Sequence, residues 1–236
     1  MGTVFKNLNM KYHKRYSQLC QEPRENLKKD SLQAAENFAI IHRTICDGKE
    51  AVLVNEEMKR AVEEKIRNFR LPDYEEIPDV GLYLEQTCRY VTDFLAPLES
   101  VTLTTSMISN YVKKGLIQNP VKKLYYRSHI AYIIFVAVAK TVLSLEDLQL
   151  FIALQKRTYD ERTAYQYFCR EFENILKFIF GVKEQLDEVG NDHTDEKIML
   201  RNTIITVAHK IFLDQCFLIL HKEEEEREDC VRQKRK

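Results

Sequence analysis

Polar side chains that can form hydrogen bonds recur every three or four residues between Thr105 and Lys114. In an α-helix this spacing places them on one face of the helix. The set consists of Ser106, Ser109, Asn110 and Lys113. Hydroxyl, amide and ammonium groups on an exposed helix face can hydrogen-bond to base edges and phosphates in a DNA major groove. Ile108 and Val112 occupy the other face and would anchor the helix to a core.

A short basic turn follows this segment. Lys122 and Lys123 come a few residues after Gly115, and aromatic and guanidinium side chains that could add phosphate contacts follow them. Cationic groups displace the counterions that DNA phosphates condense. The predicted DNA-contacting set is Thr105, Ser106, Ser109, Asn110, Tyr111, Lys113, Lys114, Lys122, Lys123, Tyr125, Tyr126 and Arg127. Two alternatives stay open: an ordinary solvated surface for the lysine pairs, and core packing for Tyr125 and Tyr126.

Acidic residues are missing from the same part of the chain. No Asp or Glu occurs between Glu99 and Glu146, although the chain has 36 acidic residues among 236. At the average density about seven would be expected there, and without them a polyanion meets no local repulsion. The whole chain has 36 basic residues and no net charge, which excludes a uniformly basic coat protein.

The composition favours a mainly helical, reduced protein. Apolar residues make up 44% of the chain, with six glycines, five prolines and no tryptophan, so helix breakers are sparse. The six cysteines show no Cys-x-x-Cys spacing, which argues against a zinc site or a disulfide framework. The first residues lack the apolar core of a signal peptide. We therefore expect a cytoplasmic, nucleoid-associated protein with no membrane partner.

Apolar stripes and capping residues predict the helices that would position these side chains. Two helices are expected before a proline-containing linker, one from Ser31 and one from Asn55 to about Phe69. The next helix has an apolar stripe of Leu84, Cys88, Val91, Leu95 and Leu98, and its predicted N-cap is Asp79. The predicted N-caps of the three helices after it are Thr104 or Thr105, Ser128 and Ser144.

Beyond Gln155 the pattern predicts an antiparallel pair of long helices. The first would run from about Asp160 to Leu186, and the second from a Thr194 cap to about His221. The aromatic residues of this region are assigned to a core or a dimer seam, with an effector pocket as the alternative; they are Tyr165, Phe168, Phe172 and Phe217. Polar residues interrupt the apolar run of the second helix, which favours a buried or interfacial helix over a membrane span.

The order of these motifs resembles the MerR superfamily of winged helix-turn-helix regulators. The matching stretches are Met107–Tyr111 for the recognition helix, Gly115–Ile117 for its exit, Lys122–Arg127 for the wing and Ser144–Leu148 for a later helix. This resemblance implies a DNA-reading head. Ser109 and Asn110 depart from the Arg and Tyr that are typical of the family. We expect a repressor, with MerR-type promoter untwisting left open.

A closer resemblance is to a bacterial MerR-like family known as domain of unknown function 1836. It rests on Leu71–Glu76, Gly81–Gln86 and Ser106–Ile117, and it extends through Lys123. Members of that family are regarded as transcriptional regulators, so the resemblance implies the same role.

The predicted fold is mainly α, with a MerR-like winged helix-turn-helix head and a short β wing. N-terminal helices and a C-terminal helical hairpin would flank this head. The predicted divisions are a helical extension over 1–70, the DNA-binding domain over 71–155, a hairpin for dimerisation or effector response over 156–222, and a charged tail over 223–236.

We predict a sequence-specific transcriptional regulator that binds double-stranded DNA as a homodimer, because one head buries too little surface for specific affinity. An unidentified small molecule or protein could act as effector. The alternative is a helical protein-interaction adaptor that does not bind DNA. No enzyme activity, cofactor or metal is predicted, since the sequence lacks a phosphate-binding glycine loop, a His-Glu-x-x-His motif and a nucleophile elbow.

Overall fold

The computed structural model describes residues 56–187, 189 and 194–234. These residues belong to the compact unit Val54–Lys236. The predicted helix from Ser31 and most of the predicted extension lie outside them. Within the described residues the chain is mainly α-helical, which confirms the predicted class, and β pairing is limited to isolated bridges.

The helices follow one another with short connections. In chain order they are α1 Glu56–Arg67, α2 Leu84–Leu95, the 3₁₀ helix Ala96–Leu98, α3 Thr105–Lys113, α4 Arg127–Ala139, α5 Leu145–Thr158, α6 Glu161–Ile179 and α7 Asp195–Lys234. The second predicted helix agrees with α1. The apolar stripe predicted for α2 is confirmed, because Val91, Leu95 and Leu98 are buried and the other two members are partly buried.

Three of the predicted N-caps are confirmed, including Thr194, whose hydroxyl accepts a hydrogen bond from the Lys197 N–H at 3.4 Å. The Thr104 hydroxyl accepts a hydrogen bond from the Met107 N–H at 3.2 Å. The Ser144 hydroxyl accepts one from the Asp147 N–H at 3.1 Å. Each cap satisfies one of the unpaired N–H groups of a first helical turn.

Two other predicted caps are wrong, for one common reason. Leu82 and Tyr125 form an antiparallel bridge, with N–H···O distances of 2.9 and 2.8 Å. The pairing keeps the backbone extended at both residues, so the helices begin just after it. Tyr83 is the N-cap of α2, where Asp79 was predicted, and Tyr126 is the N-cap of α4. Ser128, the predicted cap of α4, instead donates to Glu161 at 2.5 Å.

The predicted ends of the two long helices are also wrong. Helix α6 ends at Ile179, before Leu186, because Gly181 adopts a positive φ of 75°. Glycine is the residue that enters this left-handed conformation without a steric penalty. Helix α7 continues past His221 to Lys234. It contains neither Gly nor Pro, and the Glu, Lys and Arg residues of the predicted tail are good helix formers.

The core surrounds α4 and the α6–α7 pair. Helix α4 is apolar around most of its circumference, as a fully surrounded helix should be, and Ile130, Ile133 and Ile134 are completely buried. Phe69, just after α1, meets Phe172 of α6 edge to face at 5.9 Å. Elements from three of the four predicted divisions pack into this one core, so the boundaries stay predictions.

Helix α7 contains a stretch, Asp195–Lys222, that is long and apolar enough to cross a bilayer by length and composition. Its inner face packs against the protein, and the residues buried there include Ile204, Val207, Ala208 and Ile211. One face of the stretch therefore belongs to the core of this unit, and its other face is exposed.

A carboxylate is buried between α6 and α7. Glu171 has no exposed surface, and neither of its oxygens has a hydrogen-bond partner. Arg201 Nε lies 3.2 Å from Oε1 as an ion pair. Burial raises the pKa of Glu171, and the charges of Arg201 and Lys197 lower it by less. The ionised carboxylate therefore opposes folding more than its ion pair favours it.

We expect Glu171→Gln to raise the free energy of unfolding at pH 7 by about 1 kcal/mol, because it removes a buried charge. The folded-state pKa is raised, so the wild type loses stability as the pH rises through the unfolded and then the folded pKa. The gain of the variant should therefore vanish near pH 4. Urea unfolding of the full-length chain at both pH values measures it. A loss of stability at pH 7 would show that the Arg201 ion pair outweighs burial.

Candidate nucleic-acid interface

Helix α3 is fixed to the core along one face. Ile108 and Tyr111 are buried on that face, and Leu116 and Ile117 are buried directly after the helix. Gly115, with a φ of 72°, allows the chain to reverse there. The N–H of Leu116 then bonds to the Tyr111 carbonyl at 3.0 Å. These contacts hold the helix from behind and at its end.

The opposite face of α3 is exposed, as the sequence spacing predicts. It presents Ser106, Ser109, Asn110 and Lys113 to solvent. The Ser109 hydroxyl donates to the Thr105 carbonyl at 2.9 Å. Its hydrogen is therefore engaged within the helix, and its oxygen lone pairs remain as acceptors. Asn110 keeps both donor and acceptor groups, so the face offers complementary hydrogen-bonding chemistry.

The prediction that Tyr111 and Tyr125 contact DNA is wrong. Tyr111 is 2% exposed and Tyr125 is 5% exposed. Burial raises the pKa of Tyr111 to about 12, and its hydroxyl has no hydrogen-bond partner. The Tyr125 ring meets His129 edge to face at 5.8 Å. Both tyrosines are core residues that support the surface from beneath, so core packing is the correct alternative for Tyr125.

The predicted basic turn is a tight reversal. Val121 and Leu124 exchange both backbone hydrogen bonds, at 3.1 and 2.9 Å. Between them, Lys122 and Lys123 have φ angles of 52° and 67°. Two left-handed central residues are typical of a type I′ turn, which usually carries Asn-Gly. The strained backbone costs about 1–2 kcal/mol per residue, so these exposed lysines stand where Asn-Gly would be less strained.

The turn is joined to the start of α2. The Leu82–Tyr125 bridge lies beside it, and Gly81 packs directly against the Leu124 side chain. His129 connects the same region to α4: its Nδ1 accepts from the Tyr126 N–H at 3.1 Å, and its Nε2 lies 3.3 Å from the Asn119 carbonyl. The orientation of the turn is therefore set by contacts on both sides.

Arg127 is directed into the protein and away from the candidate surface. Its Nε donates to the Ile77 carbonyl at 2.9 Å, its Nη1 lies 3.9 Å from Asp79, and its guanidinium lies 5.6 Å from the Tyr74 ring centroid. The structure assigns Arg127 to holding the linker before α2, so the predicted phosphate contact is not supported. Tyr126, the N-cap of α4, is partly buried, and its phosphate contact stays a prediction.

The two ends of α3 are occupied by other parts of the protein. Thr105 is half-buried at the start, and Lys114 is the C-cap. The Lys114 carbonyl accepts a hydrogen bond from Gln149 Nε2 of α5, and its Nζ lies 4.0 Å from Glu146 Oε1. Sequence reasoning did not assign Glu146 or Gln149 to the site. The order of the motifs places α5 after the Lys122–Lys123 turn, but it does not show that α5 contacts α3.

Charge on the surface is largely uncompensated. Among the described residues, Lys113, Lys122 and Lys123 are exposed and form no ion pair. A cationic surface without acidic partners attracts polyanions and loses affinity as salt increases. The candidate interface is therefore the exposed face of α3 together with the Lys122–Lys123 turn.

Residues 72–168 match the family described as Domain of unknown function (DUF1836). The match confirms the predicted resemblance to this family. The matched interval contains α2 to α5 and the first part of α6, and so includes the whole candidate interface. No curated protein and no solved structure matches the chain.

We expect Gly81→Ala to destabilise the protein by about 1–3 kcal/mol, because the added methyl group overpacks a closed contact. Its Cβ would lie 2.7 Å from Leu124 Cβ. Gly115→Ala is the matched comparison: it has open space around it, and the strain of its positive φ should cost about 1 kcal/mol. Urea unfolding measures both. An effect of Gly81→Ala no larger than that of Gly115→Ala would mean that the turn can move away from α2.

Proposed function

We propose that this chain, whose residues 72–168 match the DUF1836 family, is a sequence-specific DNA-binding transcriptional regulator, with a repressor as the expected form. In this proposal α2 and α3 act as a helix-turn-helix and the Lys122–Lys123 turn acts as a minimal MerR-like wing. The observation that carries it is the exposed polar face of α3, anchored from behind and followed by an unpaired cationic turn.

The dimensions of α3 support insertion into a major groove. An α-helix is about 10–12 Å across with its side chains, which matches a groove about 12 Å wide, and the nine residues of α3 extend for about 14 Å. Its buried face includes Ile108 and Tyr111, so the polar face can enter the groove without disturbing the core. Helix α2 packs beside it, as the first helix of such a motif does.

Base recognition would come from the centre of α3. The side-chain amide of Asn110 can accept from adenine N6 through its oxygen and donate to adenine N7 through its nitrogen, the geometry that distinguishes adenine in the major groove. Ser109 offers acceptor lone pairs beside it, because its own hydrogen bonds to Thr105. Lys113 and the lysine turn would contact phosphates, which fixes the position of the helix without reading sequence.

A homodimer is part of the proposal. The outer face of α7 carries Leu213 at 53% exposure and Phe217 at 57%, with Leu218 beside them. A run of large apolar side chains on an exposed helix is typical of an interface. Two copies joined there would bring two heads to paired half-sites on one duplex. We place this activity in the cytoplasm, at the nucleoid.

The second candidate is a helical protein-interaction adaptor. The same apolar face of α7 supports it, since that face could bind a different protein in place of a second copy. The two functions differ in what they require of α3. An adaptor needs neither Asn110 nor the lysine turn, so substitutions there separate the two candidates.

We expect Asn110→Ala to weaken binding to the preferred site by about 1–3 kcal/mol and to relax base preference at one position. The Lys122→Ala/Lys123→Ala variant should instead weaken all duplexes about equally, because phosphate contacts carry no sequence information. Genomic binding-site mapping followed by affinity measurements on matched duplexes tests both. Lys222→Ala, on the exposed surface of α7, is the control. Unchanged binding in both α3 and turn variants would favour the adaptor.

The salt dependence gives a separate test. If a dimer makes about 6–8 phosphate contacts, the logarithm of affinity should fall against the logarithm of salt concentration with a slope of about −5 to −7. Removing both turn lysines from each copy should make this slope smaller in magnitude. Fluorescence anisotropy across a salt series measures it. A flat response in the wild type is incompatible with the proposed regulator.

A further inference from the structure

A cavity of about 310 Å³ lies between α4, α5, α6 and the start of α7. This volume is at the lower end of the range for small-molecule sites. Three phenylalanine rings contribute to its wall. Phe135 lies 5.3 Å from Phe168 and 5.8 Å from Phe151, measured between ring centroids. The cavity surface is therefore mainly aromatic and aliphatic.

Several of the polar side chains around the cavity already have hydrogen-bond partners within the protein. Gln155 accepts from the Tyr132 hydroxyl at 3.2 Å and donates to the Tyr159 carbonyl at 2.9 Å. Glu196 accepts from the Thr158 hydroxyl at 2.9 Å. These partners leave the groups little capacity to bind a polar ligand.

The charged groups at the cavity are also balanced. Glu161 accepts hydrogen bonds from Tyr74 and Ser128. Lys197 Nζ lies 4.5 Å from the Tyr167 ring centroid, in a cation–π contact. Two acidic residues, Glu161 and Glu196, face two basic ones, Arg170 and Lys197, among the lining residues. An ionic ligand would find no excess of opposite charge there.

We infer that this cavity is a binding site for an uncharged aromatic molecule of roughly two or three rings. Aromatic walls favour aromatic ligands through offset and edge-to-face contacts, each worth about 0.5–1.5 kcal/mol beyond apolar burial. The lining carries no net charge, so the cavity favours a neutral molecule over an ion of either sign, because an ion would lose hydration on entering the apolar site.

Helix α5 connects this cavity to α3. Phe151, Ile152 and Gln155 line the cavity, and Gln149 of the same helix donates to the Lys114 carbonyl at the end of α3. A ligand that stabilises α5 therefore also stabilises the last turn of α3. The effect of this coupling on DNA affinity rests on the proposed function, whereas ligand binding does not.

The neutral fluorescent probe N-phenylnaphthylamine tests the site by titration of the full-length chain. Ala164→Phe places a ring in the cavity, since Ala164 lines it, and should weaken probe binding at least about tenfold. Ala153→Phe is the matched control, because Ala153 is exposed on α5 and outside the lining. Ala164→Leu gives a graded loss with a smaller side chain if the phenylalanine variant does not fold.

A negatively charged probe tests whether the cavity prefers neutral molecules. Anilinonaphthalene sulfonate has a similar ring system with a negative charge, and should bind at least about tenfold more weakly than the neutral probe. Absence of saturable probe binding overturns the inference. So does binding that Ala164→Phe and Ala164→Leu leave unchanged, which would place the probe elsewhere, such as on the exposed face of α7. Equal affinity for the two probes also overturns it.

Hydrogen exchange measures the coupling without DNA. Saturating probe should slow amide exchange in α5 and in residues 105–117, and Gln149→Ala should abolish the slowing in 105–117 while leaving that in α5. Unchanged exchange in 105–117 of the wild type overturns the coupling. If the probe binds and exchange responds while no duplex is bound, the proposed DNA-binding function fails and the ligand site stands.

Discussion

The backbone pairing of Leu82 with Tyr125 is the constraint on which the candidate interface depends. It joins chain segments that are more than 40 residues apart with hydrogen bonds of 2.9 and 2.8 Å. Because the paired residues are extended, α2 begins after one and α4 after the other. Gly81 closes against Leu124, so the lysine turn is attached directly to this pairing. The start of two helices and the orientation of a cationic turn thus follow from one short contact.

Helix α5 contacts two different parts of the protein. One side lines an aromatic cavity, and its first turns contact the end of α3 through Glu146 and Gln149. Helix α5 begins at the Ser144 cap, so the residues that line the cavity and those that contact α3 belong to one continuous helix. Under the proposed function, this arrangement would connect the inferred ligand site to the helix proposed to contact DNA.

The stabilising apolar contacts of the protein and its strained, charged residues lie in different places. Helix α4 and the inner faces of α6 and α7 bury the large apolar side chains, and this core tolerates a buried carboxylate at Glu171. Strain is instead found at the surface, at Lys122 and Lys123. Uncompensated charge is found there too. Such local violations of backbone and charge preference are a reason to propose that the turn has a binding role.

Local sequence determined much of this protein. Apolar periodicity gave α1 and α2, and side-chain hydrogen bonds at Thr104 and Ser144 are formed within the first turn of their own helices, so the sequence alone predicts them. The polar face of α3 follows in the same way from helical spacing.

Tertiary structure decided what depends on distant partners. Because Leu82 pairs with Tyr125, two helices begin at residues other than the predicted ones. Core packing buries Tyr111 and Tyr125, which the sequence had placed on the surface. The aromatic cavity also requires four helices to meet. Side-chain spacing within a helix is a local property, whereas burial and strand pairing depend on residues that are close only after folding.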